Sequence, residues 1–552
     1  MNVAVAAARL RDRLAESVYD NPVVTRDFRT RMRGWKAYGI MGTYIVFLAA
    51  VLLITMWGMW QSLSGPQNFA TSIANRRIGQ HLFTSLTVTQ AILLTLIIPS
   101  LTSGSITQEL EKKTMDMLAI TRLTAGKLVL GRQLSAFLYA LMLLGCSLPL
   151  AGLCMMFGGI SPAEIAITYA LFVSWSFMFT AGGVFWSSLC NRTAAATLWA
   201  YGSCVVYMLF AIPMGLAVSF SSFGGPATDN FVFSALSPAF GPVVSLLSAK
   251  VCGITVSVAA VAVVLQFAFG ALLMLTASTH VRYHRVGRAL SIRVLLLALS
   301  AVSVWLFVGN IAGQGAFTPA HPASHAAMDS LAVLASTIVV AGCFLAAAFA
   351  TGEIRKQKED SAVTYALSPR KMFTSDLGGS ISFMALWTAV TYGVMGATIY
   401  WAVKVQHVVL PKDFWSGYFE IYIAVLAIVI GISALGILAS AIMKSRKNAA
   451  GLVGLAVILL FAVYGIMLVG YMEYGTGSPS PSWHSWQLAA LWPMTPILTA
   501  TDQWGTGLPD LGWTKDRAWL VSSVVYLLIG YIALSSASAA SAKCAGVKEE
   551  WM

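Results

Sequence analysis

Apolar runs of about 18 residues or more recur along this chain, and no other feature restricts its fold so strongly. A bilayer core is roughly 30 Å thick, so a helix rising ~1.5 Å per residue needs about 20 apolar residues to cross it. In lipid every backbone N–H and C=O must find a partner within the protein, which leaves only helices and closed barrels. Barrel strands alternate with period 2, and no sustained alternation of that kind is present. Only 10% of the 552 residues are charged and 58% are hydrophobic, whereas a soluble protein carries roughly a quarter charged residues. The chain reads as an all-α polytopic membrane protein.

Twelve spans are expected. Six lie near 36–60, 83–105, 130–157, 163–189, 194–219 and 252–279, and six near 294–313, 329–350, 380–403, 418–443, 449–471 and 518–541. Residues 1–35 precede them, a basic linker covers 280–293, and a short tail covers 542–552. With this arrangement only Arg76, Arg77, Lys250, Lys404, Lys412, Lys515 and Arg517 of the 35 Lys and Arg fall outside. Such a bias places both termini in the cytoplasm of a multi-pass inner (plasma) membrane protein. It also accounts for the net charge of +13 without invoking nucleic acid. The apolar opening Val3 to Ala8 is too short for a cleavable signal and runs into Arg9, Arg11 and Arg13. Seven cysteines show neither Cys-x-x-Cys nor a zinc-like Cys/His spacing, so no metal site is expected.

Two charged stretches stand out against the apolar background. Asn21-Pro22 suits a helix start, and Val24, Phe28, Met32 and Trp35 then fall on one face with Arg26, Arg29, Arg31 and Arg33 beside it. A basic amphipathic helix leading into a span fits the lipid headgroup layer. The second stretch follows the second span. Ile106, Leu110 and Met117 share a helical face, while Glu109, Glu111, Lys112, Lys113 and Asp116 cover the rest. Glu109 precedes Lys113 by four residues, the favourable order for a helical ion pair.

This layout returns 244 positions later, Glu109 matching Glu353, Lys112 matching Lys356 and Asp116 matching Asp360. Arg192 and Pro238 match Lys447 and Pro493 at an offset of 255, so the difference of 11 falls in an outer hairpin where insertion is tolerated. Two parallel six-helix repeats related by an axis along the membrane normal follow.

No Gly-x-x-x-x-Gly-Lys-Ser/Thr phosphate loop occurs. Glu164, Glu420 and Glu473 fall near outer span ends rather than at mid-span, and no set of His, Asp and Glu converges on a catalytic site. Met155, Met156, Phe177, Phe179, Tyr201 and Tyr207 could line an amphiphile pathway, and helix packing explains them equally well.

In four places the chain resembles the permeases of ATP-binding-cassette type-2 exporters. These are Asn21-Pro-Val-Val-Thr-Arg-Asp-Phe-Arg, Gln108-Glu-Leu-Glu-Lys-Lys-Thr-Met-Asp-Met-Leu, Leu123-Thr-Ala-Gly-Lys-Leu-Val-Leu-Gly-Arg and the Ser237-Pro loop, in family order over the first 280 residues. The resemblance implies a membrane-surface helix at 21–35 and a coupling helix at 106–118 that docks on a separate ATPase chain. Glu109, Lys112, Lys113 and Asp116 would dock there, with Glu353, Lys356 and Asp360 as the second copy at 352–365. That second copy is nearly all polar and departs from the pattern. ATP and Mg would bind the partner ATPase subunits, this chain would bind no cofactor, and the cargo is an unknown exported substrate. Family members usually carry six spans and pair, so twelve resemble two partners fused. The other readings are an ion-coupled secondary transporter and a non-transporting anchor or regulator with the same fold.

Overall fold

The computed structural model describes residues 22–63, 71–115, 124–204, 248–252, 254–281, 289–313, 379–405, 414–443 and 518–549, with residues 207 and 410 and parts of 331–346 and 449–457. Among the described residues, nine helices are long and apolar enough to cross a membrane. The chain divides into two compact units, the first holding residues 1–219 and 228–288, the second residues 220–227 and 289–552.

In the first unit the order is α1 (Pro22–Met32), α2 (Trp35–Leu63), α3 (Thr71–Thr102), α4 (Thr107–Glu111), α5 (Ala125–Met156), α6 (Pro162–Leu189), strands β1 (Ser248–Val251) and β2 (Ile254–Ser257), and α7 (Val258–His280). A further helical run covers 193–204. Helix α1 begins on Pro22, whose fixed φ suits a first turn where an N–H has no partner anyway. Gly34, at φ 117°, makes the bend into α2 that a side chain would oppose. The turn between α5 and α6 uses Gly158 and Gly159, both at φ 85°. A capping box then starts α6: the Ser161 hydroxyl accepts the Glu164 N–H and the Glu164 carboxylate accepts the Ser161 N–H, each at 3.2 Å. Glu164 is thus a cap rather than a membrane-embedded charge.

Helix α6 packs against α3, α5 and α7. Leu86, Leu94, Ile98, Leu144, Phe172 and Trp175 form the apolar centre between α3, α5 and α6. A polar thread crosses it. Gln90 Nε2 donates to the Ser147 hydroxyl at 2.9 Å, which shares a further 2.9 Å bond with the Tyr169 hydroxyl. Such bonds average only about 0.6 kcal/mol between membrane helices, so they fix register more than they add stability. A Cβ on Gly183 of α6 would lie 1.7 Å from Thr102 Oγ1, so the end of α3 seats directly on that glycine.

The expected span at 252–279 starts later, at Val258, because residues 248–257 form an antiparallel hairpin pairing Val251 with Ile254. The β-branched Val251, Ile254, Thr255 and Val256 favour it, and Cys252 sits in the turn at φ 50°.

The second unit contains α8 (Ala289–Gly313), α9 (Ser380–Val405), α10 (Phe414–Ile442) and α11 (Ala518–Glu549). Helices α10 and α11 meet closely at glycine, since a Cβ on Gly431 would lie 2.7 Å from the Tyr526 carbonyl oxygen. The linker expected at 280–293 ends before Ala289, and Arg293 lies within α8 instead. It is fully buried, its guanidinium 5.0 Å from the centre of the Phe383 ring on α9. The sequence places it in the cytoplasmic linker because charge marks loops in composition alone; a delocalised cation stacked on an aromatic face tolerates burial. The expected spans at 163–189 and 294–313 are both continuous helices.

Candidate functional site

The charged loop between α3 and α5 is built differently from a single helix over 106–118. Helix α4 has five residues and ends at Glu111 with Lys112 as its C-cap, and Lys113 takes a left-handed conformation at φ 55°. The Lys113 N–H bonds the Leu110 carbonyl at 3.2 Å and the Thr114 N–H bonds the Glu109 carbonyl at 3.0 Å. This pair of bonds is a Schellman closure, normally made with glycine at the left-handed position. The absence of a glycine hid the helix end from sequence reading. Because the helix stops there, Glu109 does not pair with Lys113.

Glu109 pairs with Arg132 instead. Arg132 stands in the second turn of α5 and holds two carboxylates: Nη1 lies 2.8 Å from Asp27 Oδ2 of α1, and Nη2 lies 2.8 Å from Glu109 Oε1. The three side chains are 13%, 11% and 21% exposed, so the bridge is largely shielded from water. Thr114 Oγ1 also donates to the Glu109 carboxylate. Arg31, one turn beyond Asp27, donates from Nη2 to the Leu101 carbonyl at 2.8 Å. It thereby satisfies an acceptor at the C-terminal end of α3 that the helix itself cannot fill. Burial lowers the Arg31 pKa from the ordinary guanidinium value, opposed by the charge of Asp27.

The start of α4 has no cap of its own, and the role falls to another element. Ser187 Oγ of α6 accepts the Ile106 N–H at 2.9 Å and the Thr107 N–H at 3.1 Å. Glu111, at the other end, accepts the Thr193 N–H at 2.8 Å and its hydroxyl at 3.1 Å, capping the helical run at 193–204. Beneath these polar contacts lies an apolar base of Val23, Ile106, Met115, Leu128, Val129 and Val184. Gln108, Glu111, Lys112, Lys113 and Thr114 remain exposed above it. The loop is therefore a charged tip on a base clamped by α1, α5 and α6.

The placement of α1 corrects the face expected for it. Val23, Val24 and Asp27 are buried, Phe28, Arg31 and Met32 are half-buried, and Trp35 is 86% exposed. The helix is turned from its purely apolar face because Asp27 and Arg31 both bond inward. Arg26, Arg29 and Arg33 point outward as expected, whereas Arg31 does not. Asp116 and Met117, the second loop at 352–365 with Glu353, Lys356 and Asp360, and the outer loop at 472–517 lie outside the described residues, as does 220–247 of the other outer loop. Sequence reading missed Asp27, Arg132 and Ser187. One signal was available for Arg132: it falls inside the expected span 130–157, where a charge needs a partner.

Three of the aromatics for which a pathway and helix packing were equally open pack against neighbouring helices. Phe177 sits between Phe137 and Phe267 at 5.5 and 5.0 Å, and Phe179 meets Tyr207 edge to face at 5.9 Å. Tyr201 donates to the Leu96 carbonyl at 2.7 Å.

No family model, curated protein or solved structure matches the chain.

Proposed function

We propose that this chain is the membrane permease of an ATP-driven exporter of the type-2 cassette kind, worked by separate nucleotide-binding subunits. The observation that carries the reading is the loop at 105–115, whose exposed Glu111, Lys112 and Lys113 stand on a base held by three other elements. A tip that must transmit a partner's motion has to be stiff at its root, because a flexible loop would absorb the displacement. Through Arg132 a push on α4 is shared with α1 and α5, and through Ser187 with α6. On this reading the twelve spans form two six-helix halves in the inner membrane with both termini cytoplasmic, and ATP and Mg reside on the partner. At the offset of 244, Arg132 falls on Asp376, so the second half of the sequence does not repeat this arginine. The two docking loops are accordingly unequal, with the first the principal contact.

The test is co-purification from native membranes in mild detergent, followed by reversal of the tip with Lys112→Glu and Lys113→Glu. The reading expects a nucleotide-binding chain to be retained by the wild type and depleted at least about tenfold by the reversed tip, as loss of two interfacial charge contacts implies. Recovery of no nucleotide-binding chain, or equal retention by both proteins, would refute it.

A further inference from the structure

The polar thread inside the first unit leaves two hydrogen-bonding groups over. Ser147 Oγ on α5 donates its one proton to the Leu144 carbonyl at 2.8 Å and accepts from Gln90 Nε2 of α3 at 2.9 Å. The Tyr169 hydroxyl of α6, 2.9 Å away, therefore donates to the same oxygen, whose two lone pairs are then both used. Beside it stand the Gln90 carbonyl oxygen, Oε1, and the Tyr44 hydroxyl of α2. Both atoms are buried, and neither has a hydrogen-bond partner among the described residues. Gln90 and Tyr44 are 0% and 3% exposed. The Tyr44 hydroxyl faces the thread, close enough to interact with the side chains of Ser147, Gln90 and Tyr169.

The two remaining capacities are complementary in kind: Tyr44 offers a donor and Gln90 an acceptor. A buried polar group left unmet in a low-dielectric interior is costly, so the pair favours any ligand that meets both. A hydroxyl does so with a single oxygen, accepting from Tyr44 and donating to Gln90. An ion is unsuited, because among the described residues no buried side chain of α2, α3, α5 or α6 is charged, and an ammonium or carboxylate would lack a counter-charge. The cover over the site is thin on one side. Helix α2 packs chiefly on α3 and α5 and is the least buried of the nine apolar helices, with Ile40, Val46 and Phe47 exposed around Tyr44. We propose that Tyr44 and Gln90, positioned by Ser147 and Tyr169, form a binding site in the membrane-spanning part of the first unit for one uncharged hydroxyl group, supplied by water or by the alcohol of an amphiphile. The inference is independent of the ATPase reading.

The experiment uses the full chain in lipid nanodiscs and has two arms. In the first, a diazirine-bearing octanol or its methyl ether is photo-crosslinked and the labelled peptides are mapped. In the second, neither probe is present and X-ray radiolysis is carried out in heavy-oxygen water. An amphiphile source gives labelling beside Tyr44 and Gln90 about tenfold stronger with the alcohol than with the ether, which accepts but cannot donate and leaves Gln90 unmet. A water source gives heavy-oxygen uptake at Tyr169 despite its burial, because a bound water is carried to it. Either result supports the proposal and names the source. Whichever signal the wild type shows should fall about tenfold in Tyr44→Phe and in Gln90→Met. Tyr44→Phe removes one oxygen atom and keeps the packing, so it decides the matter even where Gln90→Met fails to fold. The proposal is overturned if the wild type shows neither signal, as when Tyr44 and Gln90 close directly on each other, or if the signal survives Tyr44→Phe.

Discussion

Replacing Arg132 with methionine tests the clamp most directly, because it removes the cation and keeps most of the packing volume. The substitution breaks two charge-assisted bonds of 2.8 Å and leaves Asp27 and Glu109 only 11% and 21% exposed. Charged hydrogen bonds contribute roughly 1.5–3 kcal/mol each, and stranding a buried charge costs about 3–5 kcal/mol. Residual hydration of both carboxylates reduces the sum, and we take a net of about 3 kcal/mol on the docking of α1 and α4. A global unfolding energy is poorly defined for a membrane protein, so the readout should be local. In a background with the seven native cysteines removed, Val23→Cys places a thiol in the apolar base, where the native residue is 8% exposed. Its maleimide labelling should accelerate on the order of a hundredfold with Arg132→Met, the equivalent of about 3 kcal/mol of easier opening. Adding Asp27→Asn and Glu109→Gln to Arg132→Met should return the rate to within about tenfold of the parent, since no charge is then stranded. An acceleration under about fivefold for Arg132→Met, the range of a surface ion pair, would refute the reasoning. So would a triple variant that opens more readily than the single one.

Two other substitutions probe how the loop is seated. Ser187→Ala removes the acceptor for the Ile106 and Thr107 N–H groups and should cost about 1–3 kcal/mol, read as faster labelling at the same Val23→Cys probe. Gly183→Ala sets a methyl 1.7 Å from Thr102 Oγ1 and should lower the melting temperature and the yield of folded protein; Thr102→Ala should restore part of the loss.

The long apolar runs were enough to specify helices, because lipid offers the backbone no partner other than itself. Pro22 marked the start of α1, and Ser161-Pro162 with Glu164 marks α6, since those residues act through the chain immediately around them. The hairpin at 248–257 is not legible in the sequence, because a short apolar stretch does not distinguish strand from helix by composition. The end of α4 escaped notice for a related reason: a lysine occupies the left-handed position that glycine usually announces.

The candidate site was half legible. Glu109 was visible as a charge in an exceptional place, but its nearest cation in sequence, Lys113, is not its partner in space. Arg132 is 23 residues away from Glu109 and 105 from Asp27. No local periodicity relates such positions; only the packing of α1 and α4 on α5 brings them to 2.8 Å. The inward turn of Arg31 toward Leu101 and the loan of Ser187 to α4 arise in the same way.

The long apolar helices follow from the sequence by itself, because each depends on how a stretch of chain meets solvent or lipid. Which charges are neutralised and which remain available is a property of the fold. Low dielectric makes an unpartnered charge costly, so the packed helices select Asp27, Glu109 and Arg132 for one another and leave Arg26, Arg29, Arg33, Lys112 and Lys113 facing outward.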